Sequence, residues 1–242
     1  PMQTPDTHYA GHYVALVIAQ TLAQAQEAAM QVKVSYTAEP PAFWDGEQNE
    51  PASKMPQPQE NLERVDSSRG DTDAALASAP VVIRPVYALF QEAHNPMEMS
   101  AAVAAWQGDK VTVYTATQGI KGAQRTIAEV LQVPRENVKV LCPFVGGGFG
   151  CKGSVWPHEY LTAMVARDLH RPVKWMLTRR QMFTGCGNRP LMRQKIEIAA
   201  DKNGKLAAIA HHVFNTTATY GSWTESGARQ TRRQTVDAAV RP

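Results

Sequence analysis

The sequence predicts an α+β fold, with mixed sheets and packed helices, in two structured parts joined by an irregular stretch. Three observations lead there. Residues 1–40 carry a strand–helix–strand pattern, residues 41–80 are broken by prolines, and residues 81–242 interleave hairpin patterns with helical ones.

In order, Tyr13-Val14-Ala15-Leu16-Val17-Ile18-Ala19 reads as a strand apolar enough to be buried on both faces. Thr21 caps a helix over 23–30, with Gln24 as its capping-box partner. Val32-Lys33-Val34-Ser35-Tyr36 alternates like a half-exposed strand. Residues 41–80 read as an extended linker, because Pro41, Pro51, Pro56 and Pro58 interrupt any regular element; 71–79 is a short helix candidate. Strands are expected over 82–90 and 101–106, the second turning through Gln107-Gly108-Asp109-Lys110 into 111–115. A helix over 120–131, with Ile127, Val130 and Leu131 on one side, is stopped by Pro134. A strand over 138–142, a helix over 156–169 that admits Pro157 in its first turn, and a strand over 173–177 follow. Strands 194–198 and 206–214 pair around Asp201-Lys202-Asn203-Gly204. Near the end, Gln234-Thr235-Val236-Asp237-Ala238-Ala239 departs from the hydrophobic strand expected there.

Composition narrows the function classes. A length of 242 residues, with 43% hydrophobic and 19% charged residues, suits a globular chain with a real core. Net charge is +3 and the basic residues are scattered, which argues against nucleic-acid binding. No apolar run is long enough for a membrane span, and the first residues show no secretion signal. Cys142, Cys151 and Cys186 make neither a disulfide framework nor a CxxC metal site, so a reducing compartment is the default. The Pro1 start and the Val240-Arg241-Pro242 finish are expected to be cuts within a longer chain.

The most informative stretch is Phe144-Val145-Gly146-Gly147-Gly148-Phe149-Gly150-Cys151-Lys152-Gly153, which holds five of the 16 glycines. Placed between a strand and a helix, such a loop presents main-chain N–H groups to an anion and lets a ligand approach the backbone closely. Residues 148–153 also spell GxGxxG, and Arg179-Arg180 ends the next strand, which keeps an NADP-binding reading open. A P-loop fails, because Cys151 stands where a glycine should precede Lys152 and Gly153 where a Ser or Thr should follow it. Gln118, followed by Gly119, is aimed where a ligand oxygen could sit. His94 and Glu98 flank Pro96, share no helical face, and are expected to be buried and to bond loop backbone. Arg189 is a phosphate clamp or a surface residue.

Together, His94-Asn95-Pro96-Met97-Glu98, Thr117-Gln118, Val133-Pro134, Gly146-Gly147-Gly148-Phe149-Gly150-Cys151-Lys152 and Arg171-Pro172-Val173-Lys174 resemble the molybdenum-binding subunit of the xanthine dehydrogenase and aldehyde oxidase family. Tyr9-Ala10-Gly11-His12-Tyr13-Val14-Ala15-Leu16-Val17 resembles a strand of that family's preceding small domain, the hammerhead domain. The resemblance implies a partial hammerhead-like domain over 1–40, a linker over 41–80 and a partial molybdenum-cofactor-binding domain over 81–242. It implies molybdenum held by molybdopterin, usually in the cytosine dinucleotide form in bacteria. Aldehydes or heterocycles would be oxidised with oxygen from water, and electrons would pass to partner subunits carrying Fe–S clusters and FAD.

The resemblance makes Gln118, Gly119, Gly147, Gly148, Phe149 and Gly150 the cofactor-binding residues, with no direct metal ligand. It places the general-base glutamate beyond Pro242, so the chain alone is expected to be inactive. Gly153, where purine-specific members carry Glu, points to the bacterial aldehyde oxidoreductase type. Cys151 replaces the usual Gly beside the cofactor. A cytoplasmic location follows, or a periplasmic one if a signal-bearing partner exports the subunit. An NADP-binding oxidoreductase domain and a non-catalytic remnant of the scaffold are the alternatives.

Overall fold

A computed structural model describes residues 2, 5–7, 9–38, 66–215 and 231–235. The chain divides into two compact units, Pro1–Thr37 with Ala93–Asn188, and Ala38–Glu92 with Arg189–Pro242. Helices and mixed sheets build both, as the α+β reading requires.

In the first unit, α1 (Leu22–Met30) starts at Thr21, whose hydroxyl accepts the Gln24 N–H while the Gln24 amide oxygen accepts the Thr21 N–H. The flanking segments are not strands. Residues 13–19 and 32–36 have no ladder partner among the described residues. Val14 and Ile18 are 43% and 46% exposed, so the expected burial on both faces is corrected: apolar composition favours a strand only where a neighbour completes the ladder. Tyr13 anchors this segment, with its ring edge-on to Trp175 at 5.3 Å. Gly11 (φ +97°) passes so close to Thr184 that a Cβ would overlap its side chain.

The unit's sheet has four strands, in the order 138–141, 110–115, 101–107 and 173–176. Strands β4 (Ala101–Gln107) and β5 (Lys110–Thr115) form an antiparallel hairpin turned by Gly108 (φ +61°). Helix α3 (Ile120–Leu131) crosses over to β6 (Val138–Leu141), which runs parallel to β5. Helix α4 (Pro157–Asp168) then leads to β7 (Val173–Met176), antiparallel to β4. Ala123, Ile127, Ala128 and Leu131 bury one face of α3 against Val111, Val113, Val138 and Val140. Val130 lies outside that face at 40% exposed, a correction to the expected stripe. Ala163 and Ala166 bring α4 close to Ala104, and the Trp106 indole donates to the Ala163 carbonyl at 2.8 Å. Arg167 donates to the Leu131 carbonyl at 3.2 Å, closing the C-terminal end of α3. Helix α5 (Arg179–Gly185), capped by Thr178, completes the unit.

In the second unit, β1 (Asp66–Arg69), α2 (Thr72–Ser78, capped by Asp71), β2 (Val81–Ile83) and β3 (Val86–Leu89) precede the long hairpin β8 (Met192–Ala200) and β9 (Leu206–Asn215). The single strand expected over 82–90 is broken at Arg84-Pro85, where proline cannot donate to the ladder; β2 and β3 pair with β8 separately. The β8–β9 turn is the expected one: Asp201 Oδ1 accepts from the Asn203 and Lys205 N–H groups, and Gly204 takes φ +80°. Strand β10 (Thr231–Thr235) continues the sheet beside β9. Other readings within 39–65, 216–230 and 236–242 lie outside the described residues.

Candidate functional site

The registers of the four-stranded sheet gather four loops at one edge. Ala102 pairs with Thr115, Tyr114 with Leu141, and Ala101 with Met176. The start of β4 therefore lies beside the ends of β5, β6 and β7. Residues 94–100, 116–119, 142–153 and 177–187 all emerge there. The carboxyl ends of parallel neighbours are a general ligand-binding position in α/β sheets.

The glycine loop leaves β6. Gly146, Gly147 and Gly150 adopt φ of +60°, +89° and +87°. Phe149 (φ +52°) holds its ring 71% exposed at the loop's tip. A Cβ on Gly146 would overlap Glu98, one on Gly147 would crowd Pro96, and one on Gly148 would overlap the Gln118 side chain. The N–H groups of Gly146, Gly147, Gly148 and Phe149 have no hydrogen-bond partner among the described residues.

Gln118 meets this loop directly. Its amide oxygen accepts the Gly150 N–H at 3.1 Å, and its own N–H donates to the Lys152 carbonyl at 2.8 Å. Because the Gly150 donor fixes which end of the amide faces the loop, the Gln118 NH₂ is left as a donor. Thr117 steadies the turn: its hydroxyl donates to the Lys152 carbonyl and accepts the Gly119 N–H. Gly119 caps α3, with open space where a Cβ would be. The sequence-predicted Gln118, Gly147, Gly148, Phe149 and Gly150 thus come together, with Gly119 one step away at the helix start.

Lys152 is the feature that sequence reasoning missed. It is 2% exposed; its ammonium pairs with Glu98 at 2.8 Å and donates to the Val145 carbonyl. Glu98 is not buried as expected. Its side chain is 45% exposed, and its main-chain N–H donates to the Gly146 carbonyl. A lysine among glycines before a helix carried the signal, since a buried ammonium requires an acidic partner. His94 is half-buried, with Nδ1 buried and without a partner among the described residues, and its ring lies beside Gly150. Arg179 holds the same segment from the other side, donating to Asn95 Oδ1 and to the Pro96 and Met97 carbonyls. It is committed to loop structure, which takes one of the two arginines of the NADP reading away from a ligand, while Arg180 is exposed. Arg189 is an ion-pair partner of Glu92 at 2.7 Å.

Beneath the loop lies a buried polar layer. Burial pushes the Glu159 carboxyl up to about 7, against the opposing pull of the Trp156 N–H and the Thr115 hydroxyl. Burial and then the Lys152 charge push His158 down to about 4. Among the described residues, both His158 ring nitrogens and Glu159 Oε2 lack partners of good geometry.

A mixed sheet that collects a glycine cradle, an amide donor and a half-buried ion pair at one edge has the form of a cofactor-binding domain. The chain belongs to the molybdopterin cofactor-binding domain family, whose model matches residues 54–237. It is 36% identical over 207 residues to the aldehyde oxidoreductase molybdenum-binding subunit PaoC of Escherichia coli (strain K12), covering 84% of this chain and 28% of that protein. It is 31% identical over 216 residues to the 6-hydroxypseudooxynicotine dehydrogenase complex subunit gamma of Paenarthrobacter nicotinovorans, covering 88% and 27%. Among solved structures, quinoline 2-oxidoreductase from Pseudomonas putida 86 matches with a TM-score of 0.67 and 26% identity, over 81% of this chain and 25% of that one. The aldehyde oxidoreductase from Desulfovibrio gigas matches with a TM-score of 0.57 and 26% identity, over 60% and 16%. The chain therefore spans little more than a quarter of the length of these two curated relatives.

The donor set fits the family's cofactor. A cradle closed to Cβ atoms at 146–148, main-chain N–H groups without partners among the described residues and an available amide NH₂ suit an anionic, oxygen-bearing group.

Proposed function

We propose that the chain is part of the molybdenum-binding subunit of a molybdenum hydroxylase that oxidises aldehydes, or related heterocycles, with oxygen taken from water. Membership of the molybdopterin-binding family supports this, as does the likeness to a relative named as an aldehyde oxidoreductase subunit. The observation that carries it is the contact of Gln118 with Gly148 and Gly150 at the sheet edge.

Molybdenum in its pterin, when bound, supplies the two-electron redox chemistry of the reaction. The residues of this chain bind and orient. The N–H groups of Gly147, Gly148 and Phe149 would hold the cofactor, and the Gln118 NH₂ would donate to one of its oxygens. Gly150 holds the Gln118 amide in place, Gly119 starts the helix behind it, and the Phe149 ring would form a wall beside the cofactor. The role of general base falls to none of the chain's residues. The cytosine dinucleotide form of the cofactor, and partner subunits carrying Fe–S clusters and FAD, complete the reading; relatives named as subunits of complexes support the partners. The location is cytoplasmic, or periplasmic with a signal-bearing partner. No helix among the described residues is long and apolar enough to cross a membrane.

The test is expression of the full-length subunit with its partners and the cofactor-assembly machinery. Molybdenum and pterin content are measured together with aldehyde-dependent dye reduction. Absence of both molybdenum and pterin would overturn the reading.

A further inference from the structure

Behind the glycine loop, two thiols meet in one buried cluster. Cys151 lies in the loop, 1% exposed, and Cys186 is the C-terminal cap of α5, 0% exposed. Both are free, and they share a cluster with Tyr13, Leu177 and Met182. Trp156 spans the two segments. Its indole N–H donates to the Cys151 carbonyl, and its ring lies 3.0 Å from where a Gly187 Cβ would stand. The loop and the end of α5 are thus held together by one side chain.

The two sulfurs differ in character. A hydrogen bond from Cys186 lowers the Cys151 thiol from its ordinary value, against burial and with help from Lys152. The same contact, together with burial, pushes Cys186 up. Cys142, by contrast, faces the Thr117 and Phe144 carbonyls.

We infer that Cys151 and Cys186 are a redox-active dithiol that closes to an intrachain disulfide under oxidising conditions, tying the glycine loop to the end of α5. The oxidant is a low-molecular-weight disulfide such as oxidised glutathione. The Cys151 thiolate attacks it, its S–S bond breaks, and one glutathione leaves as a thiol after taking up a proton. Cys186, giving up its proton, then attacks the mixed disulfide at Cys151 and releases the second glutathione. The protein loses two electrons and two protons, and the small disulfide is reduced to two thiols. Burial confines the attack to moments when the loop opens, so the reaction is slow and reports loop motion. An exported subunit would carry the pair closed, and a cytoplasmic one would carry it open.

The test uses the native full-length subunit with its cofactor and partners. It is incubated with oxidised glutathione, quenched in acid, alkylated in denaturant and mapped by mass spectrometry. The expected result is one linked peptide pair joining Cys151 to Cys186, reversed by dithiothreitol, with Cys142 alkylated throughout. Cys151→Ser and Cys186→Ser should each remove the linked pair, but the wild-type map decides the matter without them. Recovery of Cys151 and Cys186 as alkylated thiols, a lone glutathione adduct on Cys151, or a linkage through another cysteine would each overturn the proposal.

Discussion

The amide oxygen of Gln118 accepts the main-chain N–H of Gly150 at 3.1 Å, while Gly148 lies flat against the same side chain. Residues 32 positions apart in sequence are thereby locked into one surface. Gly148→Ala should destabilise the fold by about 1–3 kcal/mol, because the new methyl overlaps Gln118. Gln118→Ala should cost only about 1 kcal/mol, since water can reach the exposed Gly150 N–H. In the double variant the overlap is gone, so urea unfolding should show a favourable coupling. Strict additivity would contradict the contact.

The Lys152–Glu98 pair is asymmetric in burial, with side chains 1% and 45% exposed. Glu98→Ala should therefore be the worse change, at about 3 kcal/mol, because it leaves a buried ammonium without its counter-charge. Lys152→Met keeps most of the volume and leaves a carboxylate that water can solvate, at about 1–2 kcal/mol. Denaturant midpoints rank the two, and the reverse order would refute the account.

Arg179 donates to three acceptors with a planar fork. Arg179→Lys should behave almost like Arg179→Ala, because an ammonium cannot reproduce that geometry. Proteolysis within 94–98 should quicken in both variants. Full protection by lysine would show that charge alone suffices.

His158 and Glu159 make opposing contributions to pH dependence. Glu159 is raised from 4.5 to about 7 in the fold, so its contribution to stability is present below 4.5 and is lost as pH rises to about 7. His158 is lowered from 6.5 to about 4, so its contribution is present above 6.5 and is lost as pH falls to about 4. Each amounts to about 3 kcal/mol, and the two slopes nearly cancel where the windows overlap. Glu159→Gln should make stability fall on acidification from 6.5 to 4.5, and His158→Gln should make it fall as pH rises from 4.5 to 7. Chemical denaturation across that range measures both, and parallel profiles for wild type and variants would refute the assignment.

The elements legible in the sequence were those with local causes. The Thr21–Gln24 capping box, Pro157 at the start of α4, the Gly108 turn and the Asp201–Gly204 turn all formed where residue type alone dictates backbone geometry. The strands expected over 13–19 and 32–36 did not form, because a strand depends on a partner that its own sequence does not specify. Arg84-Pro85 divided another expected strand through a local rule that was available to be read.

For the site, the sequence by itself determined that 146–150 must be a main-chain surface, since so many glycines leave nothing else to present, and that Gln118 opens a helix. Only the tertiary structure decided that these belong together. The parallel pairing of β5 with β6 brings both strand ends to one edge, and that pairing is a long-range choice made by burying Val111, Val113, Val138 and Val140 under α3. The same burial chose the partner of Lys152. A charge near a glycine loop is unremarkable in sequence, but once the fold removes it from water it must find a carboxylate, and the return of the chain past 94–98 supplies Glu98.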